Sequence, residues 1–337
     1  MASVSVVLPN FNHARYLPVA LDAILMQSLP PLEVLVFDDA STDDSVAIIE
    51  AYGRRHPTVQ LFRSSENRGP VAWMNRGLQL ARGDYVFFSA ADDAVLPGFL
   101  ERSVGLLARH PEAALCSSLS RVIDAAGADQ GIYRNPIVRT REACLTPAEA
   151  LRALMGIGPW FMGNTTVYRR AALQAAGGFV PELRSFCDGF LSQALTLRHG
   201  ACFIPEALAC WRRTGSGFAH ADSQQWQQRF RLRMRAAQLM RTVQADAFPP
   251  EYVRFWEGEC RFAAGVAASR ALRQRQREHW AEVFGQLAEQ PTGMDRCCQS
   301  VLNGLGQAGH TMFRLHLFLR HRGLRNWLGQ KLYRLRP

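Results

Sequence analysis

Residues 32–44, LEVLVFDDASTDD, decide the fold. Leu32, Val34, Leu35, Val36 and Phe37 make a short apolar run, the length of one strand. It stops at two carboxylates, Asp38 and Asp39, and Ser41 follows with Asp44 three residues on. That spacing resembles a capping box with Asp in the Glu position, opening a helix through Val46, Ile49 and Tyr52. The same order recurs on both sides. Residues 3–11 (SVSVVLPNF) read as a strand, and 14–27 as a helix on the spacing of Leu17, Leu21, Ile24 and Leu25. Strands follow at 59–63, 84–89 and 114–123, with helices at 70–81 and 97–110, the last with a proline at its start.

Strands alternating with helices of this length predict an α/β fold with a mostly parallel sheet covered on both faces. Such sheets bind ligands beyond the carboxyl ends of their strands. Two pairs of acids fall at those ends: Asp38 and Asp39 after the second strand, Asp92 and Asp93 after the fourth. Residues 125–160, with Gly127, Gly131 and Pro136, read as an unpatterned excursion. A strand is expected at 164–168, helices at 170–176 and 188–198, and closing strands at 202–204 and 208–211. From about 222 the chain reads as helical, with Trp226, Phe230, Met234, Ala237 and Met240 recurring about once per turn until Pro249 and Pro250 interrupt. The expected division is a domain at 1–221 and a helical extension at 222–337.

With 337 residues, 48% of them hydrophobic, the chain is too apolar for a disordered protein and too long for a disulfide-stapled miniprotein. No stretch approaches the ~18 apolar residues of a membrane span, and the first residues lack a basic leader region. The expected location is the cytoplasm. The net charge of +10 sits in the tail: after Asp295 come eight basic residues and no acid, and the preceding part is near neutral. Basicity is therefore no signal for nucleic acid, and none is expected as a partner. Residues 308–337 mix Phe313, Leu317, Trp327 and Tyr333 with that charge. They suit either the anionic inner face of a membrane or a helix docked on the protein with its charge in water. Co-sedimentation with anionic vesicles, with and without 308–337, separates the two. The eight cysteines, at 116, 144, 187, 202, 210, 260, 297 and 298, show neither zinc-site spacing nor a disulfide framework, and read as idle thiols.

The acid pairs admit two readings each. Asp92 and Asp93 leave a buried strand, where adjacent carboxylates are costly unless solvated, paired or metal-bound. They could hold a hard divalent cation through oxygen, or form a turn before Pro97. Asp39 is placed to accept hydrogen bonds from a base or ribose, with Asp43 and Asp44 left to cap the helix. The loop after the first strand, VLPNFNHA, has no glycine, which argues against a dinucleotide-binding dehydrogenase. Asp188 starts an apolar-periodic run and by itself reads as a helix cap.

The order of these motifs resembles the inverting nucleotide-sugar glycosyltransferases of family 2, which have the GT-A fold. The matching pieces are VSVVLPNFNHARYLPVALDAILMQSLPPLEVLVFDDASTDDS, ENRGPVAWMNRGLQLARGDYVFFSAADD, and GNTTVYRRAALQAAGGFVPELRSFCDGF followed by LRHGACFIPEALACWR, together about residues 3–215. The resemblance implies that Pro9, Asn10 and Phe11 pack on the nucleotide base and that Asp39 bonds it. It implies that Asn67, Arg68 and Asn75 flank base and ribose, and that Asp92 reaches the ribose or metal-bound water. Asp93 would bind Mn2+ or Mg2+, and Asp188 would be the catalytic base. Two positions depart from the family pattern. Cys187 precedes Asp188 where many relatives have Glu, and Trp211-Arg212-Arg213-Thr214 lacks a histidine that could help bind metal or diphosphate; His220 is a candidate substitute. The long-polymer signature Q-x-x-R-W is missing. The implied function is transfer of one sugar, UDP-linked at the family level, to a glycan or lipid-linked glycan in cell-surface polysaccharide assembly. The alternative is an inactive nucleotide-sugar-binding protein on the same fold.

Overall fold

A computed structural model describes residues 2–214 and 226–272 of the chain. His220, Cys297, Cys298 and the basic residues after Asp295 lie outside the described residues. The chain divides into two compact units: among the described residues, 2–154 with 158–214, and 155–157 with 226–272.

The first unit opens with the alternation expected from sequence, apart from the short β5, which was not expected: β1 (Val4–Asn10), α1 (Leu17–Leu25), β2 (Glu33–Asp38), α2 (Ser45–Arg55), β3 (Val59–Arg63), α3 (Pro70–Leu80), β4 (Tyr85–Phe88), β5 (Ala94–Val95), α4 (Phe99–Arg109) and β6 (Leu115–Asp124). It continues with β7 (Asp129–Ile132), β8 (Ala143–Leu145), α5 (Pro147–Ile157), β9 (Thr166–Arg169), α6 (Arg170–Ala175), α7 (Cys187–His199) and β10 (Ala201–Arg213). The strands form one sheet in the order β3-β2-β1-β4-β9-β6-β10-β5, with β7 on β6 and β8 on β10. β3, β2, β1 and β4 run parallel, and β6 runs parallel to β10. β9 lies antiparallel between β4 and β6, so β6 points the same way as β4.

Strands buried on both faces need apolar residues at successive positions, and β2, with all six residues buried, has them. Val6, Val34 and Phe87 sit abreast in register and are buried to 1% exposure or less. α3 approaches β1 closely because Gly77 has no side chain: a Cβ there would come within 2.3 Å of Val7 Cγ1.

Several expectations are revised. The excursion at 125–160 contains two strands and α5, whose Thr146 and Glu149 form a reciprocal capping box. The two closing strands are one, β10, with register shifts between Ile204 and Ala209 around Pro205. Pro205 removes a ladder donor, which explains the apparent gap. Ser41 does not cap α2. Asp44 occupies that position without a side-chain bond, while Asp43 accepts from the Ser45 N–H at 3.0 Å.

In the second unit, α8 (Trp226–Arg241) and α9 (Pro250–Leu272) pack together, and α9 begins where Pro249 and Pro250 break the helical run. Leu232, Ala236 and Met240 of α8 and Tyr252, Val253 and Trp256 of α9 are buried. Arg241 pairs with Glu257, and the Trp256 indole N–H donates to the Arg233 carbonyl at 3.2 Å. Among the described residues no helix is long and apolar enough to cross a membrane.

Candidate active site

β1, β2 and β4 end at one edge of the sheet, and that edge carries the acids. Asp39 follows β2, and Asp93 lies in the segment between β4 and β5, with β1 standing between β2 and β4 in the sheet. The loops after β1 and β2 are locked together. The Asn10 amide N–H groups donate to Asp38 at 2.9 Å and Ser41 at 3.1 Å, and the Ser41 hydroxyl accepts the Asn12 N–H at 2.9 Å. Asn12 in turn accepts the Thr42 N–H at 2.8 Å. Ser41, expected as a helix cap, is thus the rivet between these loops. Asn12 and Ala40 sit at positive φ, 56° and 64°. That is uncommon without glycine and for Ala40 a strained arrangement held by its surroundings.

Asp39 is buried, and its two carboxylate oxygens accept the backbone N–H groups of Arg68 and Gly69, each at 2.8 Å. It fixes the turn into α3, leaving its remaining lone pairs for a ligand. Near the end of β2, Phe37 stacks with Phe62 and Trp73 at centroid distances of 4.9 and 5.3 Å. Phe11 is 43% exposed at the end of β1, and Pro9 is half-buried. Two residues that the resemblance placed around base and ribose are otherwise engaged. Asn75 spends both ends of its amide on the backbone of Phe179, at 2.9 Å each way. Arg68 is exposed and paired with Glu66 at 2.9 Å. Asn75 is a brace between α3 and the segment after α6.

Asp93 is 6% exposed and accepts the Arg212 N–H at 2.8 Å. Burial, then the neighbouring Asp92, pushes its carboxyl well above the usual carboxylate range, against the Arg212 N–H, the Asn164 amide and the Arg212 charge. Arg212, also buried, donates to the carbonyls of Asp92 at 2.8 Å and Asp124 at 3.1 Å, and lies over the Tyr16 ring at 4.7 Å. One guanidinium therefore ties together the ends of β4, β6 and β10 and the start of α1. Its side chain makes no ion pair to Asp93 within 4.0 Å among the described residues. A hard divalent cation fits this place: it needs oxygen donors, Asp92 and Asp93 offer adjacent carboxylates, and an ionised Asp93 needs a compensating charge.

Asp188 lies in the first turn of α7 rather than at its cap, which is Phe186. One carboxylate oxygen accepts the Gly189 N–H at 2.7 Å. The other faces Gly163 so closely that a Cβ there would stand 2.7 Å from it. Burial raises the Asp188 pKa, with the backbone bond acting the other way. Gly163 and Asn164 belong to a 3-10 turn, Gly163–Thr165. Successive residues of one turn thus adjoin the two acids, Gly163 against Asp188 and Asn164 against Asp93. The sequence reading missed Gly163, Asn164 and Arg212 as site residues, although all three lie inside the motif pieces that carried the resemblance.

Known proteins resemble this chain in sequence and fold. The family model described as glycosyl transferase family 2 matches residues 5–176. A Mycobacterium tuberculosis protein, Rv1520, is 32% identical over 223 residues, which is 65% of this chain but only 61% of that protein's length. The crystal structure of Staphylococcus aureus TarS 1-349 in complex with UDP-GlcNAc aligns at a TM-score of 0.66 and 17% identity, covering 99% of this chain and 92% of TarS 1-349. The mannosyltransferase PcManGT from Pyrobaculum calidifontis, in complex with GDP-Man and Mn2+, aligns at 0.55 and 19% identity over 95% and 86% of the two chains. At these identities the structural likeness establishes the GT-A fold, and the family match across half the chain establishes kinship: the chain belongs to glycosyl transferase family 2.

Proposed function

We propose that the chain moves a single sugar from a nucleotide-diphosphate donor to a hydroxyl of a glycan or lipid-linked glycan, with inversion at the anomeric carbon. The observation that carries this reading is the 3-10 turn with Asp188 against Gly163 and Asp93 against Asn164. This turn adjoins both Asp188, which in this reading abstracts the proton, and Asp93, which in this reading serves the diphosphate through a metal. The donors bound by TarS and PcManGT, UDP-GlcNAc and GDP-Man, support a nucleotide sugar as the donor class.

A sugar hydroxyl holds its proton at neutral pH and attacks poorly. In this reading Asp188 takes that proton as the oxygen attacks the anomeric carbon from the face opposite the diphosphate. The bond from carbon to diphosphate oxygen breaks, and the nucleoside diphosphate leaves with the electron pair. A positioned base of this kind contributes roughly 10²–10⁴ in rate. Burial raises its pKa, which makes Asp188 a stronger base than an exposed carboxylate. Asp39, Phe11 and Pro9 would hold the base and Asp92 the ribose, while Arg212 keeps Asp92 and Asp93 in register. A divalent cation, Mn2+ or Mg2+, bound by Asp93 would neutralise charge on the leaving diphosphate.

The test is a calorimetric screen of UDP- and GDP-sugars with and without Mn2+. Wild-type chain is expected to bind one donor in a Mn2+-dependent manner, and Asp93→Ala to lose the metal-dependent part. Unchanged Mn2+ dependence in Asp93→Ala removes Asp93 from the site. Donor binding with neither transfer nor hydrolysis would favour the inactive binding protein.

A further inference from the structure

The opposite end of the sheet gathers side chains for which sugar transfer has no use. β6 runs with β4, so the start of β6 lies away from the edge that carries Asp39 and Asp93. There Cys202 of β10 is in register with Cys116 of β6 on one side and Cys144 of β8 on the other. As cross-strand partners, Cys202 and Cys144 project from the same face of the sheet. Cys116 and Cys202 are fully buried, while Cys144 is half-buried and open on one side. Against that side lies the short connection from α4 to β6, with His110 and Glu112. One donor atom from each of His110, Glu112 and Cys144 lies within 4.8 Å of the others.

The connection is held firmly. Arg169 of β9 donates to the carbonyls of Leu107 at 3.0 Å, His110 at 3.3 Å and Ala113 at 3.1 Å. His110 Nδ1 also lies 3.2 Å from Glu112 Oε1. The imidazole and the carboxylate are therefore presented together, on a braced loop, over a half-exposed thiol.

We propose that His110, Glu112 and Cys144 bind a divalent transition metal of the zinc type, a site distinct from the one at Asp93. Mixed nitrogen, oxygen and sulfur donors suit zinc, whereas Mg2+ and Mn2+ favour oxygen alone. Bond lengths near 2.0–2.3 Å put the ligand atoms of a tetrahedral zinc site about 3.5 Å apart. Side-chain rotations of about 1 Å close the present spacing to that value. Binding exchanges the His110–Glu112 contact for two metal bonds and releases the Cys144 proton to solvent. Cys202, the buried cross-strand neighbour of Cys144, backs the ligand from within the sheet. Water completes the fourth position on the side of the exposed Glu112. The metal would tie β8 to the α4–β6 connection, far from the sugar chemistry, which makes it a structural site. No sequence motif reveals it, because its ligands come from a loop and a strand joined only by the sheet.

The test is optical titration of the metal-stripped full chain with Co2+ under a phosphine reductant. The expected result is a thiolate-to-cobalt charge-transfer band with intense tetrahedral visible bands, saturating at one equivalent. Zn2+ should erase the bands, and excess Mg2+ should leave them unchanged. Cys144→Ser should abolish the charge-transfer band, and His110→Ala should raise the Co2+ Kd at least about tenfold. Absence of the band in the wild-type chain overturns the proposal, as does its persistence in Cys144→Ser. If circular dichroism shows that Cys144→Ser does not fold, an unchanged Kd in His110→Ala overturns it instead.

Discussion

Gly163 leaves room for the Asp188 carboxylate, and one methyl group there would remove that room. No positive φ marks this glycine, so alanine is tolerated by the backbone, and the cost falls on the carboxylate 2.7 Å from the added Cβ. Gly163→Ala is therefore expected to keep its melting temperature and its donor Kd while kcat falls about 10²-fold, the usual effect of misplacing a reacting group by about 1 Å. An unchanged kcat would mean that Asp188 need not occupy its present position. The raised Asp188 pKa adds a pH signature. The base works ionised, so kcat falls as pH drops through the raised value, and the acid limb of the pH–rate profile should lie above the ordinary carboxylate value of 3.8. A limb at or below that value would assign the proton to another group. From sequence, Asp188 stood out as a helix cap, and only the order of the surrounding motifs pointed to a base. Gly163 was not legible at all, because its role consists of the space beside it.

At the scale of elements, Glu33 at the start of β2 joins three segments. Its carboxylate accepts the Ser5 hydroxyl at 2.7 Å, the Arg82 N–H at 2.8 Å and the Arg82 guanidinium at 2.9 Å, while the residue is 2% exposed. Burial works to raise its pKa, but the bonds from Ser5 and Arg82 outweigh burial and hold it below 4.5. A depressed folded pKa means that the stability is present above the unfolded value and is lost as pH falls through the folded one. Glu33→Gln should therefore cost about 1–3 kcal/mol at neutral pH. In urea titrations the two proteins should converge as pH drops below 4.5; a gap that persists in acid would point to packing rather than charge. The parallel half of the sheet was legible element by element, since apolar strands and amphipathic helices alternate there without exception. The region after β6 was not. Its strands are short, and β10 is interrupted by Pro205. α5 had a readable start in Thr146, Pro147 and Glu149, a capping box with proline at the first helical position, yet it lies between short strands that carry no periodic signal.

Over the whole molecule, sequence and structure agree best where the sheet is parallel and buried, and the site lies at the edge of that half. The acids at the strand ends were legible because buried strands rarely stop at carboxylates without a reason. Arg212 was harder to read, since only the folded sheet pairs β10 with β5 and so brings its guanidinium to the Asp92 carbonyl. The bracing role of Asn75 was not legible, because its amide serves Phe179, a partner 104 residues away. The central claim is that Asp39, Asp92, Asp93 and Asp188 serve one pocket, with Asp188 acting on the acceptor rather than holding the donor. Transfer kinetics and donor calorimetry on Asp188→Asn, set beside the wild type with the donor identified by screening, test it most directly. The account predicts that turnover falls at least about 10²-fold while donor affinity stays within a few-fold, and undiminished turnover, or parallel loss of turnover and binding, would contradict it.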